Sequence, residues 1–180
     1  MGLAKQRPSR LVSAVVTLLT LCFLSSCAVI SEEECFDANW QQRGLNDGNQ
    51  GYTTARLNEY LKICSRAGAN VNSSQYLQGH QQGVQLYCTP ERGRQEGLKG
   101  RTYRGVCPAN LEAGFLHAYQ PAYDVYRKEQ ALNRINSRIQ QKERELRKTK
   151  DSKKRRRLRE DIRSLDREAA YTRREIRRLD

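Results

Sequence analysis

Hydrophobic residues along the chain fall into three patterns, and the first predicts a targeting segment. An apolar run of 14 residues, free of charge, extends from Leu11 to Leu24. It is shorter than the roughly 20 residues that a membrane-spanning helix needs. A basic start precedes the run and small residues follow it, which is the order of segments in a secretory signal peptide. The pattern therefore predicts a cleaved signal peptide over residues 1–26.

The middle of the chain shows the helical periodicity of several short segments. The segment "TTARLNEYLKIC" would place four residues on one helical face: Leu57, Tyr60, Leu61 and Cys64. The segment "SSQYLQGHQQGVQLYC" would begin at Ser73 or Ser74 and would align Gly79 and Gly83 on one stripe. Because glycine costs about 1 kcal/mol relative to alanine inside a helix, this stripe predicts a neighbour packed at close range.

The last third of the chain carries two coiled-coil patterns that are out of phase. The first has seam positions at Leu132, Ile135, Ile139 and Leu146, with Lys142 between them. The second alternates spacings of four and three from Leu158 to Leu179. Continuing the first pattern into the second would bury charged residues. A chain reversal near "KTKDSKK", with Asp151 or Ser152 as the next N-cap, removes the conflict and predicts an antiparallel helical hairpin.

The end of the N-terminal apolar run resembles the lipobox of bacterial lipoproteins. An aliphatic residue and two small residues, "LSS", directly precede Cys27. The resemblance implies cleavage before Cys27, a diacylglycerol on its sulfur and an acyl chain on the new amine. Two or three chains hold a protein lastingly to a bilayer. Ala28 stands where an inner-membrane retention signal would have Asp, which implies the periplasmic face of the outer membrane. The alternative is a plain signal peptide that leaves Cys27 free.

Of the six cysteines, Cys22 lies in the predicted signal peptide and Cys27 would carry the lipid. Export to an oxidising compartment favours disulfides for the other four, Cys35, Cys64, Cys88 and Cys107. The competing interpretation is a zinc site, but the spacings of 29, 24 and 19 residues lack the close pairs of structural zinc sites. Four cysteines allow three connectivities. If the segments of Cys35 and Cys64 pack antiparallel, the pairing 35–64 with 88–107 is preferred. Large aliphatic residues are sparse in this part of the chain, so disulfides would contribute much of the stability of a domain of this size.

Three strings of glycine, tyrosine and cysteine resemble a known family. They are "W-x₃-G-x₂-D-G-x₂-G" from Trp40, "Y-x₂-G-x₃-G-x₃-Y-C-T-P" from Tyr76 and "G-x₂-G-x₂-Y-x₂-V-C-P" from Gly97. The strings are similar to those of small proteobacterial lipoproteins of unknown function, over about residues 27 to 120. This resemblance implies lipid anchoring and an envelope location, and it supplies no catalytic residue or ligand.

Charge divides the chain beyond the signal into a neutral part and a basic part. Residues 27–123 contain nine basic and nine acidic residues, whereas residues 124–180 contain 21 basic and 11 acidic residues, a net charge of +10. The densest basic stretch supplies the candidate residues for binding an anionic surface: Lys153, Lys154, Arg155, Arg156, Arg157 and Arg159. In an exported chain, phospholipid headgroups, lipopolysaccharide phosphates and acidic envelope proteins are the expected partners, and nucleic acid is not. The alternative is a solvated helix face with pairs such as Glu143–Arg147. Self-association of the hairpins is a further expectation.

The sequence offers no catalytic constellation. His80 and His117 have no partners at fixed spacing, and His117 is expected to be a half-buried structural histidine. The glycine motifs lack the flanking strand and the Gly-Lys-Ser/Thr ending of a phosphate loop. We therefore expect neither an enzyme nor a metal or cofactor other than the lipid on Cys27.

The predicted fold is mainly α, with a small disulfide-tied helical domain followed by an antiparallel helical-hairpin coiled coil. The predicted parts are the signal peptide (1–26), a lipidated linker (27–34), a cysteine-, glycine- and tyrosine-rich domain (35–123) and the basic hairpin (124–180). The expected function is that of a lipid-anchored envelope protein with a structural or anionic-surface interaction role. The alternative is a ligand-binding or accessory enzyme domain in 35–123, with the basic tail as a spacer.

Overall fold

The computed structural model describes residues 29–179, so the predicted signal peptide and Cys27 lie outside the described residues. The described chain is all-helical, as the sequence predicts. The helices are α1 (Glu34–Asp37), α2 (Trp40–Asn49), α3 (Arg56–Arg66), α4 (Ser73–Tyr87), α5 (Pro90–Leu98), α6 (Ala109–Lys148) and α7 (Ser152–Leu179). None of these helices is both long and apolar enough to cross a bilayer.

The described residues divide into two units, of which the smaller contains residues 29–38 and Asn58–Val71. A disulfide from Cys35 to Cys64 joins α1 to α3 within this unit. Tyr60 and Cys64 on α3 are fully buried, as the helical face predicts, but Leu61 is 39 % exposed. Leu61 lies about 100° around the helix from Tyr60, at the outer edge of the face that Tyr60 and Cys64 bury, so part of its side chain reaches solvent.

The larger unit contains Asn39–Leu57 and the chain from Asn72 onward, and its first feature is the close contact of α2 with α4. A Cβ atom added at Gly44 would overlap the carbonyl oxygen of Tyr76, and one at Gly83 would overlap the carbonyl oxygen of Leu45. Backbone therefore meets backbone along the glycine stripes of both helices. The prediction that the Gly79/Gly83 stripe admits a close neighbour is confirmed.

Asparagine side chains begin both of these helices. The Oδ1 atom of Asn39 accepts from the backbone N–H of Gln42 at 2.9 Å, and Oδ1 of Asn72 accepts from that of Gln75 at 3.1 Å. The expectation that Ser73 or Ser74 caps α4 is therefore wrong. Asparagine is among the strongest N-cap residues, and Asn72 stands one position earlier with a non-helical backbone.

The core of the larger unit lies between α5, α6 and the loop that joins them. A disulfide from Cys88 to Cys107 links the end of α4 to the residues just before α6. The buried residues of this core are Val84, Tyr87, Cys88, Cys107, Phe115 and Tyr119. The rings of Tyr87 and Phe115 stack with their centroids 5.1 Å apart. The two disulfides have the pairing that the sequence favoured.

The hairpin is formed by the C-terminal half of α6 and by α7, with the reversal at residues 149–151. Ile135, Leu165 and Ala169 form its buried seam. The polar seam position is explained by an ion pair, in which Lys142 Nζ lies 2.7 Å from an Asp161 carboxylate oxygen across the hairpin. Helix α6 passes through residues 123 and 124 without a break. The compositional boundary between the two predicted parts is therefore not a break in secondary structure.

Candidate functional site

The four cysteines assigned to disulfides are all oxidised in the structure, as Cys35–Cys64 and Cys88–Cys107. Two disulfides indicate an extracytoplasmic protein, because cytosolic thiols are kept reduced. Within residues 29–179, no group of three or more His, Cys, Asp or Glu side chains is arranged to hold a metal ion.

The basic residues predicted to bind an anionic surface gather at the reversal of the hairpin. We call residues 148–159 the hairpin tip. Asp151 begins α7, since its Oδ1 atom accepts from the backbone N–H of Lys154 at 2.7 Å. Nη1 of Arg155 donates to the carbonyl oxygens of Leu146 at 2.8 Å and Thr149 at 3.0 Å, which satisfies the free carbonyls at the end of α6. Arg155 is therefore a structural residue of the turn.

The other five predicted cations are exposed: Lys153, Lys154, Arg156, Arg157 and Arg159. No acidic residue interrupts the sequence between Ser152 and Arg159. Within residues 29–179, no carboxylate lies within ion-pair distance of any of these five side chains. Farther along the hairpin, two ion pairs join the arms, Lys128–Glu175 at 3.6 Å and Lys142–Asp161 at 2.7 Å. The five exposed cations of the tip therefore face solvent without an ion-pair partner among the described residues.

A second site, which the sequence analysis missed, is a cleft in the larger unit. Its cavity has a volume of about 500 Å³. We call it the Tyr-Arg cleft, and its lining residues are Gln50, Gly51, Tyr52, Tyr87, Glu96, Arg101, Thr102 and Arg104. The cleft brings together the end of α2, the last turn of α4, helix α5 and the loop that follows it. Its residues are up to 54 positions apart in the chain.

Glu96 is the buried charge of this cleft, with 2 % of its surface exposed. Nη1 of Arg101 donates to both carboxylate oxygens of Glu96 at 3.1 Å, and Nε of Arg92 lies 3.9 Å from one of them. Two guanidiniums therefore compensate this carboxylate. Burial, followed by the negative charge of Glu96, raises the pKa of Tyr87 from 10.0 to about 12.

Tyr52 forms one wall of the cleft and carries two guanidinium groups over its ring. Arg56 lies 3.8 Å and Arg104 lies 4.5 Å from the ring centroid. Asp47 holds Arg56 through an ion pair of 3.4 Å. The backbone carbonyl of Tyr52 also lies 2.6 Å from Nε2 of His80, which is buried. His80 thus fixes the backbone of this wall.

Neither histidine is among the residues that line the cleft. The ring of His80 is engaged with the Tyr52 carbonyl. His117 is exposed on α6, so the expectation that it is half-buried is wrong; it lies two positions past Phe115, on the side of the helix turned away from the core.

One signal in the sequence could have pointed to the cleft. Glu96 lies three residues after Gly93 and next to Gly97, on the face where α5 meets the backbone of α6. A carboxylate on a glycine stripe is unusual, because charged groups are rarely buried without partners. The partners come from distant segments, however, and no local pattern identifies them.

A comparison with known protein families finds a match over part of the chain. Residues 39–124 match the family described as "Protein of unknown function (DUF2799)". The match covers α2 to α5, the Tyr-Arg cleft and the first part of α6, and it ends where the basic hairpin begins. No curated protein and no solved structure matches the chain.

Proposed function

We propose that the chain is a bacterial envelope lipoprotein, attached through lipid at Cys27 to the periplasmic face of the outer membrane, whose hairpin tip binds a phosphate-bearing membrane surface. The role is that of a structural or anionic-surface interaction protein, and no catalytic step is part of it. The N-terminal sequence pattern and the two disulfides support the export and anchoring parts of this proposal.

The uncompensated charge of the hairpin tip is the observation that carries the binding part. Five exposed cations lie within residues 153–159, with no acidic residue between them and no ion pair to a carboxylate of the described chain, whereas a merely solvated helix face would intersperse both signs of charge. Consistent with this, no ion pair joins Glu143 to Arg147 in the described part of the chain. Near an anionic bilayer each Lys or Arg contributes about 1 kcal/mol, so the five together contribute up to about 5 kcal/mol.

The hairpin keeps these cations at one end of a stiff element. Helix α7 has 28 residues, which corresponds to about 42 Å at 1.5 Å per residue. Arg155 closes the turn with hydrogen bonds to the end of α6, so the backbone of the tip is ordered before any partner binds. Binding therefore does not require ordering of the turn, which lowers its entropic cost.

Sedimentation with lipid vesicles tests the binding. The purified chain is mixed with phosphatidylcholine vesicles, with and without phosphatidylglycerol, and the bound fraction is measured at rising salt. We expect binding that requires the anionic lipid and weakens with salt. Replacing Lys153, Lys154, Arg156, Arg157 and Arg159 by Gln should lower the partition coefficient by as much as roughly three to four orders of magnitude.

A matched variant separates the tip from overall charge. Five exposed arginines of α7 outside the tip are replaced by Gln instead: Arg163, Arg167, Arg173, Arg174 and Arg177. The proposal requires a much smaller loss of binding in this variant. Equal losses in the two variants would mean that net charge, rather than the tip, determines binding. Binding only to membranes that retain their proteins would instead identify an acidic protein as the partner.

Anchoring is tested separately. Mass spectrometry of the chain from bacterial membranes should show an N-terminal Cys27 carrying diacylglycerol, and the Cys27→Ala variant should leave the membrane fraction. An unmodified thiol at Cys27 in membrane-bound protein would contradict this part of the proposal.

A further inference from the structure

We propose that the Tyr-Arg cleft binds a small molecule bearing an oxyanion, a carboxylate or a phosphate, through Arg101 and Arg104. This site is distinct from the hairpin tip and goes beyond the membrane-binding role. Its residues belong to one unit of the described chain, and the cavity of about 500 Å³ lies within the range of small-molecule sites, roughly 300–1,000 Å³.

The charge balance of the cleft favours an anion. Glu96 is the carboxylate that lines it, and three guanidiniums lie at or near it, those of Arg92, Arg101 and Arg104. Asp47 is already engaged by Arg56 and by the hydroxyl of Tyr76, which donates to it at 2.9 Å. Arg104 makes no ion pair with a carboxylate of the described residues. The cleft therefore retains positive charge that an anion would neutralise.

Arg104 is held in a position that leaves its hydrogen-bond donors available. The central carbon of its guanidinium lies 4.5 Å from the centroid of the Tyr52 ring. A guanidinium held over an aromatic ring keeps N–H donors for other partners, and these match a carboxylate or phosphate in a two-pronged contact. Tyr52 is in turn fixed at its backbone by His80.

Arg101 is oriented from two sides. Its guanidinium is bound to Glu96, and its backbone carbonyl accepts a hydrogen bond of 2.9 Å from the hydroxyl of Tyr119. Arg101 nevertheless keeps 60 % of its side-chain surface exposed, so donors remain on its outer edge. A preorganised donor pair loses little conformational entropy when a ligand binds.

The back of the cleft is tightly built. Gly51 adopts a positive φ of 72°, and a Cβ atom there would lie 2.7 Å from the hydroxyl oxygen of Tyr87. The phenol end of Tyr87 thus abuts the backbone at the wall of the cavity. This hydroxyl is neutral at physiological pH, as an ordinary tyrosine is, and its raised pKa extends the neutral form to more alkaline pH.

Arginine-detected NMR on the full-length chain in neutral detergent tests the proposal. Inorganic phosphate and acetate are titrated separately at constant ionic strength, and the Nε–Hε signals are followed. We expect saturable shifts of Arg101 and Arg104 with at least one of the two anions, and the stronger binder identifies the source of the oxyanion. Arg104→Gln should raise the apparent Kd about tenfold or more, as loss of a charge-assisted contact does.

The matched control is Arg94→Gln, which removes the same charge from α5 outside the cleft, where Arg94 is exposed and paired with Glu91 at 3.4 Å. Its Kd should equal that of the unchanged chain. Tyr52→Leu, which removes the stacking face, should weaken binding in the same direction as Arg104→Gln. The proposal would be overturned by shifts that rise linearly without saturating, or by shifts confined to arginines of the hairpin tip. It would also be overturned if Arg94→Gln weakened anion binding as much as Arg104→Gln does.

Discussion

Substitution of Gly83 by alanine tests the backbone contact between α2 and α4. In a free helix this change would stabilise by about 1 kcal/mol, because alanine is the better helix former. In the folded chain the new Cβ would overlap the carbonyl oxygen of Leu45 and lie 2.7 Å from the backbone nitrogen of Asn49. Both are main-chain atoms, which no rotamer change can remove. Overpacking of this kind costs about 1–3 kcal/mol.

The overpacking cost outweighs the gain in helix propensity, so we expect Gly83→Ala to lower the free energy of unfolding by up to about 2 kcal/mol. Urea denaturation of the oxidised chain measures this, and the midpoint should fall by up to roughly 1 M if the slope is about 2 kcal/mol/M. The assay follows helical circular dichroism, with the slope compared between variants to confirm that the same surface unfolds.

The control is Gly114→Ala, inside the first turns of α6, where the nearest atom to a new Cβ is Pro90 Cγ at an ordinary 3.7 Å. This variant should be more stable than the unchanged chain by about 0.5–1 kcal/mol. The two substitutions are chemically identical and should move the midpoint in opposite directions. A rise in both midpoints would refute the claim that α2 and α4 touch through their backbones.

Three further predictions follow from the packing. Replacing Cys88 and Cys107 together by Ser, which opens a link across 19 residues, should cost about 3 kcal/mol in chemical denaturation, and a loss under 1 kcal/mol would contradict this. Leu165→Ala in the hairpin seam should cost about 2–5 kcal/mol in thermal unfolding, whereas Leu179→Ala, at a position 38 % exposed, should cost far less. The folded-state pKa of Tyr87 is raised above its unfolded value, so its contribution to stability is fully present below pH 10 and is lost as the pH rises towards about 12. The difference between the absorbance titrations of the unchanged chain and of Tyr87→Phe should show one phenol that ionises near pH 12. Ionisation of this phenol near pH 10 would contradict its burial.

The hairpin could be predicted from the sequence because its information is local and periodic. Two seams out of phase have few solutions, and the reversal that resolves them lies at residues 149–151, with Asp151 as the cap. The stripe of Gly79 and Gly83 likewise predicted a closely packed neighbour, although the pattern does not identify this neighbour as α2. The pairing of Cys35 with Cys64 was favoured only on the condition that their segments pack antiparallel, and the structure contains that pairing.

The Tyr-Arg cleft could not be predicted in the same way. Tyr52, Glu96 and Arg104 come from three segments, and only tertiary packing brings them together. The compositional boundary at residues 123 and 124 lies inside helix α6, which continues through it and contacts both α5 and α7.

The role of the hairpin tip is tested most directly by photocrosslinking in cells. A photoreactive amino acid replaces Ser152, an exposed tip residue with no capping role, and in a second strain replaces Tyr171, which is 57 % exposed and about 28 Å away along α7. We predict adducts of phosphate-bearing lipid from position 152 and not from position 171, with loss of these adducts in Cys27→Ala. No adduct from position 152, or equal adducts from both positions, would contradict the claim that the tip is where this chain meets the membrane surface.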